Sequence, residues 1–251
     1  MLTQARDLRR RRAREEQGVF VTEGVRAVEE LIASTLVVRG VLVSPKLGTT
    51  PRGEALRVAV EARGIVVTEV TDRDFSSAAD TDAPQGVLAV AEIPARTLPT
   101  PAMGLVFRAV VLDGVQDPGN VGTIVRTAAA LGADATIALP GTVDLWNVKV
   151  VRSAMGALFR HQALHASTSD LVQWARTHDV QLWGADGSAS ALAAAERAPE
   201  RVALVMGNEG AGLSDAVSAA CARMVAVPIG GGVESLNVAV ATGILLHALR
   251  A

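Results

Sequence analysis

Several features common in secreted and membrane proteins are missing from this sequence of 251 residues. Its single cysteine, Cys221, excludes an internal disulfide framework and fits a reducing compartment. The stretch that comes closest to a membrane span, residues 233–249, carries Glu234, Asn237 and His247. The chain begins Met-Leu-Thr-Gln-Ala-Arg, without the apolar core of a signal peptide. We therefore expect a soluble cytoplasmic protein.

The usual signatures of nucleotide, metal and hydrolytic sites are also missing. The glycine-rich stretch Gly207–Gly212 follows neither the G-x-G-x-x-G dinucleotide pattern nor the Walker A pattern. His161 and His165 stand four residues apart without the Glu of an H-E-x-x-H arrangement, and no G-x-S-x-G elbow occurs. Cys221 lies among alanines, which favours a buried spectator over a nucleophile. We expect no metal, no classical nucleotide site and no hydrolase triad.

The charge pattern gives one local indication of a nucleic-acid partner. The formal net charge is −2, so no global basic field attracts phosphates. Arginines nevertheless crowd the N-terminus, at Arg6, Arg9, Arg10, Arg11, Arg12 and Arg14. One interpretation is a solvated helix face compensated by Glu15 and Glu16; the other is a phosphate-binding arm, for which forked guanidinium donors are well suited. The chain has only two lysines, Lys46 and Lys149, and this general preference for Arg weakens the second interpretation.

Alternating apolar runs and helix-like segments predict an α/β protein in two parts. Residues 1–95 form a first α/β module, a proline-rich linker spans residues 94–104, and residues 105–251 form a second module. The second module is predicted to hold five or six parallel strands. Predicted strands are Val19–Thr22, Val37–Ser44, Ile65–Val70, Gly86–Ile93, Val106–Asp113, Ala135–Leu139, Phe159–His165, Val180–Ala185 and the Val-rich runs from Val202 and Val225. Predicted helices are residues 1–17, Gly24–Ser34, Glu54–Arg63, Asp72–Ala79 capped by Thr71, Thr123–Leu131, Asn147–Ala157, Thr168–His178, Ala189–Ala195 and the run to Leu249.

Polar clusters follow three of the predicted strands of the second module. In open α/β sheets, ligands bind beyond the carboxyl ends of the strands, so these loops predict a site. In the loop after Asp113, Asn120 occupies a helix-cap position and Arg126 projects from the second helical turn. An ordinary capped helix with a surface arginine would give the same pattern. Ser235 is predicted to cap the last helix, with the polar side chains of Glu234–Asn237 facing the crevice.

Taken together, these motifs resemble the SpoU (TrmH-type) branch of the SPOUT RNA methyltransferases. Three blocks carry the resemblance, Leu112–Arg126, Leu204–Leu213 and Val227–Gly243, and their order and spacing are specific in combination. The stretch Lys149–Phe159 is also similar to members of this branch. The N-terminal stretch Phe20–Leu31 is similar to the ribosomal-protein-L30e-like substrate-binding domain of the longer members, on a shorter and mostly apolar pattern.

The resemblance implies a fold, a cofactor and a reaction. It implies a deep C-terminal trefoil knot that forms an S-adenosylmethionine pocket, a homodimer, and methyl transfer to a ribose 2′-hydroxyl of RNA. The matching catalytic positions are Asn120, Arg126, Glu209, Ser235 and Asn237, and main-chain groups at Gly207, Val227, Ile229 and Leu236 match the cofactor-binding ones. Proposals for the family make the arginine a base; a guanidinium pKa above about 12 favours a phosphate anchor instead.

Four functions remain open at this stage. Ribosomal RNA is the expected substrate because the N-terminal module resembles a domain that reads folded RNA, and transfer RNA is the alternative substrate. A non-catalytic RNA-binding or ribosome-assembly protein on the same fold is disfavoured by the complete set of polar residues. A small-molecule α/β enzyme is disfavoured by the missing nucleotide loops.

Overall fold

The computed structural model describes residues 1–189, 198–230, 232 and 235–249. The chain divides into two compact units, one of Met1–Ala95 with Trp146–Arg160 and the other of Arg96–Leu145 with His161–Ala251. The predicted helix Ala189–Ala195, except for its first residue, and Glu234 lie outside the described residues. Within the described part of the chain, no helix is long and apolar enough to cross a membrane.

The first 95 residues form a mixed four-stranded sheet covered by helices. The strands are β1 (Val19–Glu23), β2 (Val38–Val43), β3 (Val67–Glu69) and β4 (Val87–Glu92), and the helices are α1 (Leu2–Asp7), α2 (Arg11–Gln17), α3 (Val25–Ile32), α4 (Pro51–Ala62) and α5 (Asp72–Ala78). The strands lie in the order β1-β4-β2-β3, in which the β1–β4 and β4–β2 pairs are antiparallel and the β2–β3 pair is parallel.

The local interactions of this unit follow from its sequence, with one exception. The amphipathic pattern of α3 is confirmed, since Val25, Val28, Leu31 and Ile32 are its buried residues. The Thr71 cap of α5 is also confirmed, because its hydroxyl accepts a hydrogen bond from the Asp74 amide at 3.1 Å. The single helix predicted over residues 1–17 is wrong: the chain forms α1 and α2 instead.

The remaining residues contribute six strands and five helices to the described part of the chain. The strands are β5 (Phe107–Asp113), β6 (Ala135–Ala138), β7 (Ala163–His165), β8 (Gln181–Ala185), β9 (Arg201–Gly207) and β10 (Arg223–Val225). The helices are α6 (Pro118–Ala130), α7 (Val148–Ser153), α8 (Thr168–Thr177), α9 (Asp215–Ser218) and α10 (Val238–Ala248). The short helix α9 is absent from the sequence prediction.

All six strands pair in parallel, in the order β10-β8-β9-β5-β6-β7, so the parallel sheet predicted for the second module is confirmed. The central pair β5–β9 runs in register from Phe107↔Arg201 to Asp113↔Gly207. The chain moves from β5 outward to β7 and then returns to the other side of β5, which makes the β5–β9 boundary a topological switch point. The predicted trefoil knot stays a prediction.

The segment Trp146–Arg160 packs within the first unit although it lies between β6 and β7 in sequence. The Phe20 ring of β1 lies 4.5 Å from the Trp146 ring and 5.8 Å from the Phe159 ring, measured between centroids. Arg152 pairs with Asp80 at 3.1 Å and Arg160 with Glu30 at 2.6 Å. The predicted division at residues 94–104 follows the chain continuously and does not anticipate this grouping.

Candidate functional site at the carboxyl ends of β5 and β9

The loops after β5 and β9 are fastened to each other by hydrogen bonds. The buried Asp113 carboxylate accepts one from the Ser214 amide at 2.7 Å, and the Asn208 side chain donates one to the Gly114 carbonyl at 2.9 Å. A Cβ atom on Gly207 would lie 2.7 Å from the Leu213 nitrogen, so only glycine fits where this loop folds back on itself. The two strand ends therefore form one rigid rim.

Helix α6 begins earlier than predicted and has a different cap. Asp117 is the N-cap, and its carboxylate accepts a hydrogen bond from the Asn120 amide at 2.7 Å, while Pro118 occupies the first turn. The predicted start at Thr123 and the cap position predicted for Asn120 are therefore both wrong. Because Asp117 satisfies the helix terminus, the Asn120 side chain is available for other contacts.

Three of the five predicted catalytic residues form a continuous chain of hydrogen bonds. The Asn120 amide nitrogen donates to the Glu209 carboxylate at 2.9 Å, and the Asn237 amide nitrogen donates to the Asn120 oxygen at 2.9 Å. The Asn237 oxygen caps α10 by accepting from the Ala239 amide at 2.9 Å. Asn237, and not Ser235 as predicted, is thus the N-cap of α10.

The cap gives the chain of hydrogen bonds a direction. Because the Asn237 oxygen faces the amides of α10, its nitrogen must face Asn120. Asn120 then presents its oxygen to Asn237 and its nitrogen to Glu209. Each amide is held in one orientation, and the Glu209 carboxylate receives the last donor. The arrangement links α6, the loop after β9 and the start of α10.

Arg126 and Ser235 stand apart from this chain. Arg126 lies on the exposed side of α6, in the third helical turn, and not in the predicted second turn. Within the described residues, its guanidinium makes no hydrogen bond or ion pair. Ser235 is exposed and likewise makes no hydrogen bond within the described residues. Both side chains are accessible to a ligand from solvent.

A cavity of about 680 Å³ opens beside the hydrogen-bonded rim. All four predicted cofactor-binding positions line it, as do three of the predicted catalytic residues. These seven residues are Gly207, Val227, Ile229, Leu236, Glu209, Ser235 and Asn237. Asp186, at the end of β8, also lines the cavity and went unnoticed in the sequence, although it is a polar residue directly after a strand. Hydrogen bonds from the Ser188 amide and then its hydroxyl lower the pKa of Asp186.

Cys221 and His161 do not line the cavity. Burial, and to a lesser degree the charge of Asp113, raises the pKa of Cys221 to about 11, so the thiol stays protonated at neutral pH. Burial, followed by the charge of Arg96, lowers the pKa of His161 to about 4, and its ring contacts the Thr136 hydroxyl at 2.9 Å. In the part of the chain that the structure describes, no group of three or more His, Cys, Asp or Glu side chains could hold a metal ion.

The fold and site define an α/β protein with a cavity at the carboxyl ends of a parallel sheet, the usual place for a ligand in such folds. The chain belongs to the SpoU rRNA methylase family, whose sequence pattern matches residues 108–247. Residues 2–89 match the MRM3-like substrate binding domain.

Similar proteins cover nearly the whole chain. The 23S rRNA (guanosine(2553)-2′-O)-methyltransferase RlmP of Bacillus subtilis is 33% identical over 97% of this chain and 93% of its own length. The 23S rRNA (uridine(2479)-2′-O)-methyltransferase of Streptomyces viridochromogenes is 30% identical over 96% of this chain and 85% of its own length. The AdoMet-bound rRNA methyltransferase from Sinorhizobium meliloti is 31% identical, with a TM-score of 0.85 over 99% of this chain and 93% of its own.

Proposed function

We propose that this protein is an enzyme that transfers the methyl group of S-adenosylmethionine to a ribose 2′-hydroxyl of ribosomal RNA. The observation that carries the proposal is the directed chain Asn237–Asn120–Glu209 at the rim of a glycine-lined cavity. Family membership and relatives named for 2′-O-methylation of 23S rRNA support the same reaction. Transfer RNA is the less favoured substrate, because the similar full-length proteins are named for rRNA.

The cavity suits S-adenosylmethionine in size and in lining. Its volume of about 680 Å³ falls within the range of small-molecule sites, roughly 300–1,000 Å³. Val227, Ile229 and Leu236 offer apolar surface for the adenine ring of the cofactor, and the backbone at Gly207 offers hydrogen-bonding groups. The bound cofactor supplies an electrophilic methyl group on a sulfonium. The bound structure of the Sinorhizobium relative carries AdoMet, which supports this assignment.

The polar chain positions the reacting groups. A ribose hydroxyl is a weak nucleophile, so the protein must align it with the methyl group and assist removal of its proton. Asn120 and Asn237, each locked in one amide orientation, keep the Glu209 carboxylate in place at the cavity. Ser235 lines the same cavity, and its hydroxyl makes no hydrogen bond within the described residues, which suits it to contact the substrate or cofactor directly.

Arg126 is proposed as the anchor for an RNA phosphate. Its guanidinium is exposed and has no partner within the described residues, so it is ready to form bidentate bonds to phosphate oxygens. A guanidinium holds its protons too firmly to act as a general base at neutral pH. Anchoring the backbone would orient the ribose and stabilise the negative charge that develops on its oxygen.

The remaining partners follow from the same family. The first module is proposed to bind the RNA substrate, supported by the match of residues 2–89 to a substrate-binding domain. We also propose a homodimer in the cytoplasm. Apolar side chains on the outer face of α10 support dimerisation, since Val240 and Ile244 are 52% and 44% exposed. A second subunit is an economical way to cover them.

The test is transfer of labelled methyl groups from S-adenosylmethionine to rRNA isolated from cells that lack this protein, followed by nucleoside mass spectrometry. We expect one 2′-O-methyl nucleotide to be restored. Asn120→Ala should lower the rate by about 100-fold, the scale of one lost positioned contact. Gln173→Ala, which removes an exposed amide from α8, is the control and should keep full activity.

Three other results would replace the proposal. Label in tRNA and not in rRNA would change the substrate class. Binding of rRNA without any transfer would favour a ribosome-assembly protein. Incorporation that does not depend on RNA would indicate a small-molecule enzyme.

A further inference from the structure

One buried cation lies at the end of the sheet opposite the site. Arg108 is the second residue of β5 and only 8% exposed. Its guanidinium donates to three main-chain carbonyls, those of Leu249 at 2.9 Å, Glu200 at 2.8 Å and Phe107 at 2.9 Å. Three segments that are distant in sequence therefore meet at one side chain. Arg108 takes no part in the proposed chemistry.

Leu249 is the C-cap of α10, the helix that forms one wall of the cavity. Val238, Ala241 and Leu245 of this helix line the cavity, and its N-cap Asn237 belongs to the polar chain. The helix has 11 residues and is about 16 Å long at 1.5 Å per residue. It is hydrogen-bonded at both ends, to Asn120 at the rim and to Arg108 at the far side of the sheet.

The C-terminal end of α10 is a favourable place for a cation that holds the helix, and we call the contact of Arg108 with Leu249 the latch. The last carbonyls of a helix have no intrahelical donor and carry the negative end of the helix dipole, so a cation satisfies both requirements. In a buried place the contact is more favourable than it would be in water, and its loss leaves carbonyl groups without a donor. Arg108 also holds Glu200, which directly precedes β9, the strand that ends at Gly207.

We infer that Arg108 is a positioning residue that latches α10 against the sheet and thereby fixes the wall of the cofactor cavity and the place of Asn237. The inference rests on the proposed function insofar as the cavity holds the cofactor. When the latch is broken, α10 is held at its rim end alone. The cavity wall then moves more freely, and the cofactor binds less tightly.

Arg201 offers a matched control. It is the first residue of β9, and its register partner on β5 is Phe107, next to Arg108. Its guanidinium also donates to main-chain carbonyls, those of His178 at 2.8 Å and Ala102 at 3.4 Å. Neither acceptor belongs to α10. Arg201→Met therefore removes similar hydrogen bonds at the same end of the central strands and leaves the contact of Arg108 with Leu249 intact.

The experiment compares Arg108→Met, Arg108→Lys and Arg201→Met in the full chain. We expect the Kd of S-adenosylhomocysteine, measured by calorimetry, to rise about tenfold in Arg108→Met, the scale of one lost charged hydrogen bond. Arg108→Lys keeps the positive charge but loses the forked geometry of the guanidinium, so its Kd should fall between those of Arg108→Met and the wild type. In Arg201→Met the Kd should stay within about twofold of the wild-type value, even if the Tm of this variant falls as much as that of Arg108→Met. Hydrogen exchange of the α10 amides should accelerate in Arg108→Met, less so in Arg108→Lys, and not in Arg201→Met.

The outcomes separate the latch from the proposed function. A wild-type protein that does not bind S-adenosylhomocysteine overturns the proposed function, and the latch is then judged on hydrogen exchange. Wild-type affinity and wild-type exchange of α10 in Arg108→Met would overturn the latch. Equal losses of affinity in Arg108→Met and Arg201→Met would show that Arg108 contributes to the stability of the fold in general and has no specific effect on the cavity. If Arg108→Met does not fold, Arg108→Lys decides by the same two measurements.

Discussion

The two units use arginine in different ways. In the first unit, most paired arginines contact carboxylates at the surface, as in Arg52–Glu29 at 2.5 Å, Arg57–Glu61 at 3.0 Å and Arg12–Glu16 at 2.6 Å, and the buried Arg14 is an exception. In the second unit, Arg108 and Arg201 donate to main-chain carbonyls at the amino-terminal ends of β5 and β9. Arg126 makes neither kind of contact within the described residues.

The difference separates three effects of one side chain. An exposed ion pair contributes about 0–1 kcal/mol, because water and salt screen it and two long side chains lose freedom. A buried guanidinium on carbonyls fixes the backbone, and its loss leaves unsatisfied acceptors. An exposed guanidinium without a partner keeps its donors for a ligand. The charge of an arginine therefore does not predict its contribution to the structure or to ligand binding. The group that accepts its hydrogen bonds does.

The largest expected effect comes from removing the first module. Deleting residues 1–95 takes away the partners of Trp146–Arg160, so Trp146, Phe159 and the apolar face of α7 become exposed. Each such side chain contributes about 1.5–3 kcal/mol when buried. We expect the remaining chain to aggregate and to bind the dye ANS, as size-exclusion chromatography and fluorescence would show.

The control for this deletion also replaces residues 146–160 with a glycine-serine linker. This second variant should be soluble and monodisperse and should bind S-adenosylhomocysteine. If the simple deletion is already monodisperse and does not bind ANS, the packing of Trp146–Arg160 on the first unit contributes little.

The next effect concerns His161, a polar residue buried in the second unit. Its pKa is about 4 in the folded protein, below the ordinary value of 6.5, so the unfolded chain binds the proton more readily between these values. The stabilisation by neutral His161 is complete above pH 6.5 and is lost as the pH falls towards 4, by about 3 kcal/mol in total. Urea unfolding between these pH values measures it. His161→Gln should flatten that slope; an unchanged slope would assign it to other groups.

Arg126→Lys tests the exposed arginine of α6, whose guanidinium has no partner within the described residues. The substitution keeps the charge but loses the fork, so methyl transfer should fall by at least about 100-fold with cofactor binding unchanged. An anchor stays protonated, so no apparent pKa of the pH–rate profile should move. The exposed Arg176 of α8 is the control: Arg176→Lys should be silent. A pKa that moves in Arg126→Lys, with RNA affinity unchanged, would make Arg126 the base.

The smallest effect is expected at the arginine-rich N-terminus. Arg10, Arg11 and Arg12 pair with Asp7, Glu15 and Glu16, which supports the solvated-face interpretation. Arg12→Gln should change the free energy of unfolding by only about 0.3–0.5 kcal/mol, as expected for an exposed pair four residues apart on a helix. It should leave the salt dependence of RNA binding unchanged. A shallower salt slope in this variant would restore the phosphate-binding arm.

The sequence predicted what local chemistry and strand order determine. Apolar runs ended by glycine, such as the one before Gly207, predicted buried parallel strands, and the polar residues after them predicted a site at the end of the sheet where the cavity lies. Local ambiguity caused the errors at helix starts. Asp117-Pro118-Gly119 is typical of a turn and also of a helix start. In the structure it forms the start of α6, because Asp117 caps the helix. At α10, Ser235 and Asn237 both suit a cap, and Asn237 takes it.

Contacts between distant segments could not be predicted in this way. Arg14 belongs to the surface run in sequence, yet it is 3% exposed and donates to the Leu8 carbonyl at 2.7 Å, which ties α1 to α2. Nothing within a few residues of Arg108 indicates that it meets Leu249. The join of Asn120 with Asn237 depends on tertiary packing of α6 and α10. Such contacts have no local pattern in the sequence.

The place of Trp146–Arg160 also sets an order of events during synthesis. The ribosome synthesises a chain at about 5–20 residues per second, and domains usually fold as they emerge from it. Here Phe20 lacks its aromatic neighbours until β5, α6 and β6 have been made, because Trp146 and Phe159 come later in the chain. The unit that begins first is therefore completed only after the second sheet has started. A nascent chain that pauses before Trp146 exposes the Phe20 side of β1, which makes this interval the moment when a chaperone is most useful.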